Sequence, residues 1–262
     1  VSAKVETLRI DGLPLRLHTL APAGRLRSDL APTVVLVHGI GMSHRSFRRT
    51  QRALAVTHRT VSVDLPGFGG LPGAGRRLEI EELADLVVRA VRSGGAGPFV
   101  LVGQSMGTQI VAEAARRFPD LVESVVLIGP VIAEGRRSAL VQTMDLLRDC
   151  TLEGVRMNGV VFTDYLRSLP QYLRELRPML RYPLEDTLPH VEQPVLVVRG
   201  AEDPVARHDW SARVAAAAPR GAFVELPGPH HVQEHQPVAF ARLVGEFQRV
   251  QTLDALRPEA PR

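Results

Sequence analysis

The sequence predicts an α/β protein with a mostly parallel central sheet, an N-terminal antiparallel hairpin and helices on both faces. Three observations carry that prediction. Short runs rich in β-branched residues (Thr33 to Val37, Thr60 to Asp64, Phe99 to Val102, Val122 to Ile128, Val195 to Arg199, Ala222 to Leu226) alternate with stretches of helical period, the pattern of a parallel sheet covered on two sides. Ahead of them, Val5 to Ile10 and Leu15 to Leu20 flank Asp11-Gly12, a turn signal, and read as a hairpin at the sheet edge. Finally, a chain of 262 residues with 45% hydrophobic and 23% charged residues is long enough for one sizeable core.

The helices are expected over Phe47 to Ala55, Glu79 to Val91, Met106 to Phe118, Asp209 to Ala217 and Pro237 to Gln248. One stretch breaks the alternation. About sixty residues of helical texture separate the run ending at Ile128 from the run starting at Val195, with no convincing strand among them. An insertion of this length beside a regular βα pattern reads as a movable cap over a site. The expected division is therefore a core of residues 1–130 and 191–250, and a helical cap of residues 131–190 inserted after the sixth strand. Residues 251–262, with Pro258 and Pro261, are expected to fray.

Composition bounds the function classes. No apolar run approaches the length of a membrane span, and Lys4, Glu6 and Arg9 interrupt the first ten residues where a secretory signal would be apolar. The single cysteine, Cys150, excludes an internal disulfide and paired-thiolate metal sites and fits a reducing, cytoplasmic setting. A net charge of +4 raises the question of an acidic partner, but arginines come in scattered pairs with acids nearby, so neither nucleic acid nor membrane is expected as a partner. The oligomeric state is left open.

The segment Gly103-Gln104-Ser105-Met106-Gly107 lies between an apolar strand and a helix. A nucleophile at a sharp strand-to-helix turn has a strained backbone, and glycines two positions before and after it remove the Cβ collisions that such a turn creates. The helix then presents amide groups and the positive end of its dipole where negative charge develops in acyl transfer. His38-Gly39-Ile40-Gly41 follows the strand Thr33 to Val37, and Asp64-Leu65-Pro66-Gly67-Phe68-Gly69 follows the next.

Taken in that order and spacing, HGIG, DLPGFG and GQSMG resemble the α/β-hydrolase superfamily from about Val5 to Val250, in its serine esterase branch. The resemblance implies backbone N–H groups of Ile40 and Met106 as oxyanion donors, and a loop-organising part for His38. It also puts a catalytic acid at Asp203, in Gly200-Ala201-Glu202-Asp203-Pro204, with neighbouring Glu202 a solvent-facing carboxylate. The base falls in Gly228-Pro229-His230-His231-Val232-Gln233-Glu234, where the spacing to Glu234 and Pro237 aligns His230 rather than His231. The other histidines (His18, His44, His58, His190, His208, His235) lack nearby acids or metal-ligand spacing and read as surface or capping residues, so no metal and no cofactor is expected.

The implied chemistry is hydrolysis of a carboxylic ester by water through an acyl-enzyme. Serine at the elbow speaks against dehalogenase and epoxide hydrolase relatives, which use aspartate. Met42-Ser43-His44 after Gly41 departs from the HGxGPG loop of carbon–carbon bond hydrolases; perhydrolases, and ligand-binding relatives without chemistry, share the fold. In the insertion, Met144, Phe162, Tyr165 and Tyr172 are candidates for an apolar substrate pocket. The arginines there are candidates to hold a substrate carboxylate, but a similar number of acids makes mutual surface pairing the expected arrangement. HGIGMSHRSF with DLPGFG also resembles bacterial hydrolases of small monoesters such as monoalkyl phthalates.

Overall fold

The structure is a computed structural model and describes residues 1–22, 31–95, 97–133 and 135–255. Strands β1 (Ser2–Ile10) and β2 (Leu13–Ala21) form the expected hairpin, closed at Asp11 and Gly12, whose φ angles of 49° and 79° give the two-residue turn that matches strand twist. Strands β3 (Thr33–Val37), β4 (Thr60–Asp64), β5 (Phe99–Gln104), β6 (Val122–Ile128), β7 (Val195–Gly200) and β8 (Gly221–Leu226) complete one sheet in the order β1-β2-β4-β3-β5-β6-β7-β8. The β1–β2 and β2–β4 pairs are antiparallel and the remaining pairs parallel.

Each central strand is buried on both faces because alternate residues feed two separate cores. Val35, Val37, Val61, Val63 and Leu101 pack with the apolar sides of α2 (Ile80–Ser93) and α3 (Met106–Arg117). Val34, Leu36, Val100 and Val102 pack on the other face with Leu54 of α1 (Arg48–Leu54) and with Phe240 and Val244 of α9 (Pro237–Ala255). Each such side chain contributes about 1.5–3 kcal/mol when fully buried, so a register slip in a central strand is strongly disfavoured. A 3₁₀ turn over His44–Phe47 precedes α1, splitting the helix expected from Phe47.

Between β6 and β7 the chain forms α4 (Ala139–Leu152), α5 (Val155–Arg181) and α6 (Leu184–Thr187), and no strand among the described residues. Helix α5 continues through Pro170 and Pro178, each of which lacks the N–H for a ladder bond. Helices α7 (His208–Ala217) and α8 (Val232–His235) flank β8 in sequence. Helix α9 runs on to Ala255, into the expected tail, and the rest of that tail lies outside the described residues. The C-terminal ends of β3 to β8 share one edge of the sheet, where ligands gather in open α/β sheets, and the motifs singled out above lie there.

Candidate active site

Ser105 joins β5 to α3 with φ 55° and ψ −121°, a conformation that costs a non-glycine residue of order 1–3 kcal/mol. Its neighbours must be glycine for reasons of space. A Cβ on Gly103 would lie 2.2 Å from Gly107 O, and one on Gly107 would lie 2.2 Å from Val37 O. The turn is held by Ser105 N–H donating to Ile128 O (2.9 Å) and by Thr108 N–H and Oγ1–H donating to Ser105 O (2.9 and 2.6 Å).

Met106 is the first residue of α3, so its N–H lies outside the intrahelical ladder, and Ile40 N–H donates to no other backbone group among the described residues. The Ile40 turn is set by His38. Leu65 N–H donates to His38 Nε2 (3.2 Å), which leaves the ring proton on Nδ1 to donate to Gly39 O (2.8 Å). Burial pushes the His38 pKa down, against the raising influence of Asp64, and so keeps the ring neutral in that tautomer. Both ring nitrogens are occupied, in keeping with a loop-organising part.

Asp203 follows β7, and its Oδ1 accepts the N–H groups of Val205 (2.8 Å) and Ala206 (2.9 Å) while Oδ2 receives His230 Nδ1–H at 2.8 Å. The aspartate is at once a turn former and the partner of the imidazole; adjacent Glu202 is exposed. Burial alone would lower the His230 pKa, but the charge and hydrogen bond of Asp203, with the charges of Asp149 and Glu153, outweigh it and raise the value to about 9. Ser105 and His230 each lie beside the end of β6: Ser105 N–H donates to Ile128 O, and a Cβ on the next residue, Gly129, would lie 2.9 Å from the His230 ring.

Sequence reasoning missed two buried residues, Asp149 on α4 and Glu153 at its C-terminal cap. Asp149 Oδ1 accepts His230 N–H (2.9 Å). Glu153 accepts from the N–H (3.0 Å) and Nδ1 (2.9 Å) of His231 through Oε1, and from His235 Nε2 (2.7 Å) through Oε2. His231 is thus a structural anchor. Glu234, next in the segment, accepts from Arg49 N–H (2.7 Å) and Thr50 N–H (3.0 Å) and pairs with Arg156.

The reading of the lone histidines is also corrected. Asp64, at the end of β4, accepts His44 N–H (2.7 Å) and lies 2.9 Å from His18 Nε2 and 3.0 Å from His44 Nδ1. Burial raises the Asp64 pKa, yet the two histidines more than reverse this and hold it far below the usual carboxylate range. The two imidazole rings stack with centroids 3.6 Å apart and planes 18° apart, and each presents a nitrogen to Asp64 Oδ2. His235 pairs with Glu153 and His208 with Glu225, whereas His190 is exposed and His58 is hydrogen-bonded to Thr57.

Helices α4 and α5 enclose a cavity of about 490 Å³ whose wall includes Leu146, Cys150, Val161, Phe162, Tyr165 and Tyr172. Tyr165 also packs on the turn after Ile40, where a Cβ on Gly41 would lie 2.6 Å from its ring. Of the four residues expected there, Phe162, Tyr165 and Tyr172 line the cavity, while Met144 stands 62% exposed outside it. The expected pairing of insertion arginines is found in part: Arg136 pairs with Asp145 and Arg137 with Glu185, whereas Arg156 pairs with Glu234 outside the insertion.

A family model described as α/β hydrolase fold matches residues 32–150. The pyrrolizixenacetamide deacetylase of Xenorhabdus hominickii is 24% identical over 240 residues, covering 82% of this chain and 90% of that protein. The pimeloyl-[acyl-carrier protein] methyl ester esterase of Nitrosospira multiformis is 27% identical over 231 residues, covering 77% and 88%. Among solved structures, a thermophilic esterase from Thermogutta terrifontis superimposes with a TM-score of 0.75 at 20% identity over 96% of this chain and 99% of that one, a likeness of fold.

Proposed function

The chain belongs to the α/β-hydrolase superfamily, and on that footing we propose that it is a serine hydrolase of carboxylic esters, with Ser105 as nucleophile, His230 as base and Asp203 as acid. The observation that carries the reading is the 2.8 Å bond from His230 Nδ1 to an Asp203 carboxylate already oriented by two amides. It assigns the proton to Nδ1 and leaves Nε2 to take the serine proton.

In the proposed first step Ser105 Oγ attacks the ester carbonyl as His230 Nε2 removes its proton, and the Ile40 and Met106 amides receive the developing oxyanion. His230 returns the proton to the departing alcohol. Water, deprotonated by the same nitrogen, then attacks the acyl-enzyme, and collapse of the second tetrahedral intermediate frees the acid and restores Ser105.

The wall of the cavity beside Tyr165 contains no cation among the described residues, which favours an apolar acyl or alcohol group over the free carboxylate of a monoalkyl phthalate. A series of p-nitrophenyl esters from acetate to octanoate, run beside monoalkyl and dialkyl phthalates, tests this. We expect kcat/KM to rise with acyl length and neutral esters to lead; a preference for the charged monoester overturns the pocket assignment, and hydrolysis of no ester overturns the esterase reading. The deacetylase relative supports a second reading, an amide substrate cleaved by the same residues.

A further inference from the structure

Helices α4 and α5 sort their side chains by charge. The four acids of these helices, Asp145, Asp149, Asp164 and Glu175, and Glu153 in the turn between them are all buried, each no more than 9% exposed. The outward faces carry large apolar side chains instead: Leu140, Met144 and Leu147 on α4, and Phe162, Leu166 and Leu173 on α5, each more than half exposed. Spacings of three, four or seven put each set on one stripe of its helix, and the two stripes border a common cavity that includes Leu147 and Phe162 in its wall. Beside the stripes stand Arg148, Arg167, Arg174 and Arg177, exposed and without an ion pair among the described residues. A surface of this kind, apolar and cationic with no exposed acid, is not what an ordinary solvated helix pair presents.

We propose that the outer face of α4 and α5 docks on an anionic lipid surface. The apolar stripes enter the boundary between headgroups and acyl chains, while the guanidinium groups reach up to lipid phosphates. A second copy of the chain fits this face poorly, because a two-fold contact sets arginines against arginines with no carboxylate between them. The contact is lateral, since no described helix is long and apolar enough to cross a membrane. The expectation of no membrane partner rested on the lack of a spanning run and on acids near the arginine pairs in sequence; on α4 and α5 the acids are buried.

The test is co-sedimentation of the full chain with vesicles of phosphatidylcholine alone and with one-third phosphatidylglycerol, and it needs no turnover. We expect at least tenfold tighter binding to the anionic vesicles, abolished by 0.5 M salt or by R148Q/R167Q/R174Q/R177Q at unchanged ester hydrolysis and Tm. L140S/L166S/L173S should weaken binding to both. Equal binding to both vesicle types, or an arginine variant that binds like the parent, overturns the proposal. So does a dimer by light scattering that L140S/L166S/L173S dissociates, which assigns the face to a second copy.

Discussion

Asp149 Oδ1 accepts the backbone N–H of His230 at 2.9 Å, so a residue of the inserted helix α4 holds the loop that carries the proposed base. Burial raises the Asp149 pKa to about 6, against the lowering charges of His230 and His231, and its carboxylate in turn helps lift His230 to about 9. The groups facing His230 are Asp203 after β7, Asp149 on α4, Glu153 at the C-terminal cap of α4, and adjacent His231.

A pH consequence follows with a definite sign. The base works as neutral imidazole, so kcat/KM should climb as pH rises and level off above about 9. D149N keeps a hydrogen-bond acceptor for His230 N–H but removes a negative charge, and its rising limb should shift to lower pH by roughly one unit. D149L removes the acceptor too and should lower kcat about tenfold with KM nearly unchanged. Stopped assays from pH 5 to 10 check both; a D149N profile superimposable on the parent contradicts the coupling.

His230 and His231 are adjacent but should separate cleanly. H230Q should lose about 10³-fold or more in kcat, the scale of a missing general base. H231Q loses the Nδ1 contact with Glu153 and should mainly lower Tm, by several degrees, while keeping most activity. Paired kinetics and melting curves of the two variants decide it, and reversed phenotypes would reassign the base.

His38 should act through the Ile40 amide alone. Removing its ring in H38A frees the turn held between Leu65 N–H and Gly39 O, and should cost on the order of 10²-fold in kcat, comparable to losing one oxyanion donor. The pH midpoint of kcat/KM should not move. A displaced midpoint in H38A would make His38 a titrating participant.

Glu175, buried on α5 with one oxygen bonded to Gln171 Nε2–H at 2.8 Å, has its pKa raised to about 8 by burial, against the lowering influence of that bond. A raised carboxyl pKa stabilises the fold at pH below the unfolded value near 4.5, and that contribution is lost as pH rises through about 8. E175Q has no charge to bury and should exceed the parent in stability at pH 9 by on the order of 2–4 kcal/mol. Urea unfolding at pH 4 and pH 9 measures the difference; a gain of equal size at both would contradict the account.

The sheet was legible because its strands are contiguous apolar runs separated by turn residues, and the elbow because Gly103 and Gly107 are demanded by contacts within ten residues or with the neighbouring strand β3. Asp203 and His230 were readable only through their resemblance to a family pattern. What escaped were contacts between segments far apart in the chain. Nothing local in Asp149 or Glu153 tells that a helix will set them under His230 and His231, some eighty residues on. His18 and His44 look isolated in the sequence because the acid they share, Asp64, meets His18 across the β2–β4 pair and His44 through the turn after β3, twenty residues or more away along the chain. Of the acids of α4 and α5, Asp145 does pair with Arg136 of the insertion, but Asp164 pairs with Arg45 of the core, a partner that sequence proximity does not reveal.

The reactivity of Ser105 is the most direct measurement of the central claim. After incubation with a fluorophosphonate, intact mass should show one adduct per chain and peptide mapping should place it on Ser105, with S105A unlabelled and H230Q labelled at least a hundredfold more slowly. An adduct elsewhere, or no adduct on a folded chain, would contradict the assignment of this strained serine as the nucleophile.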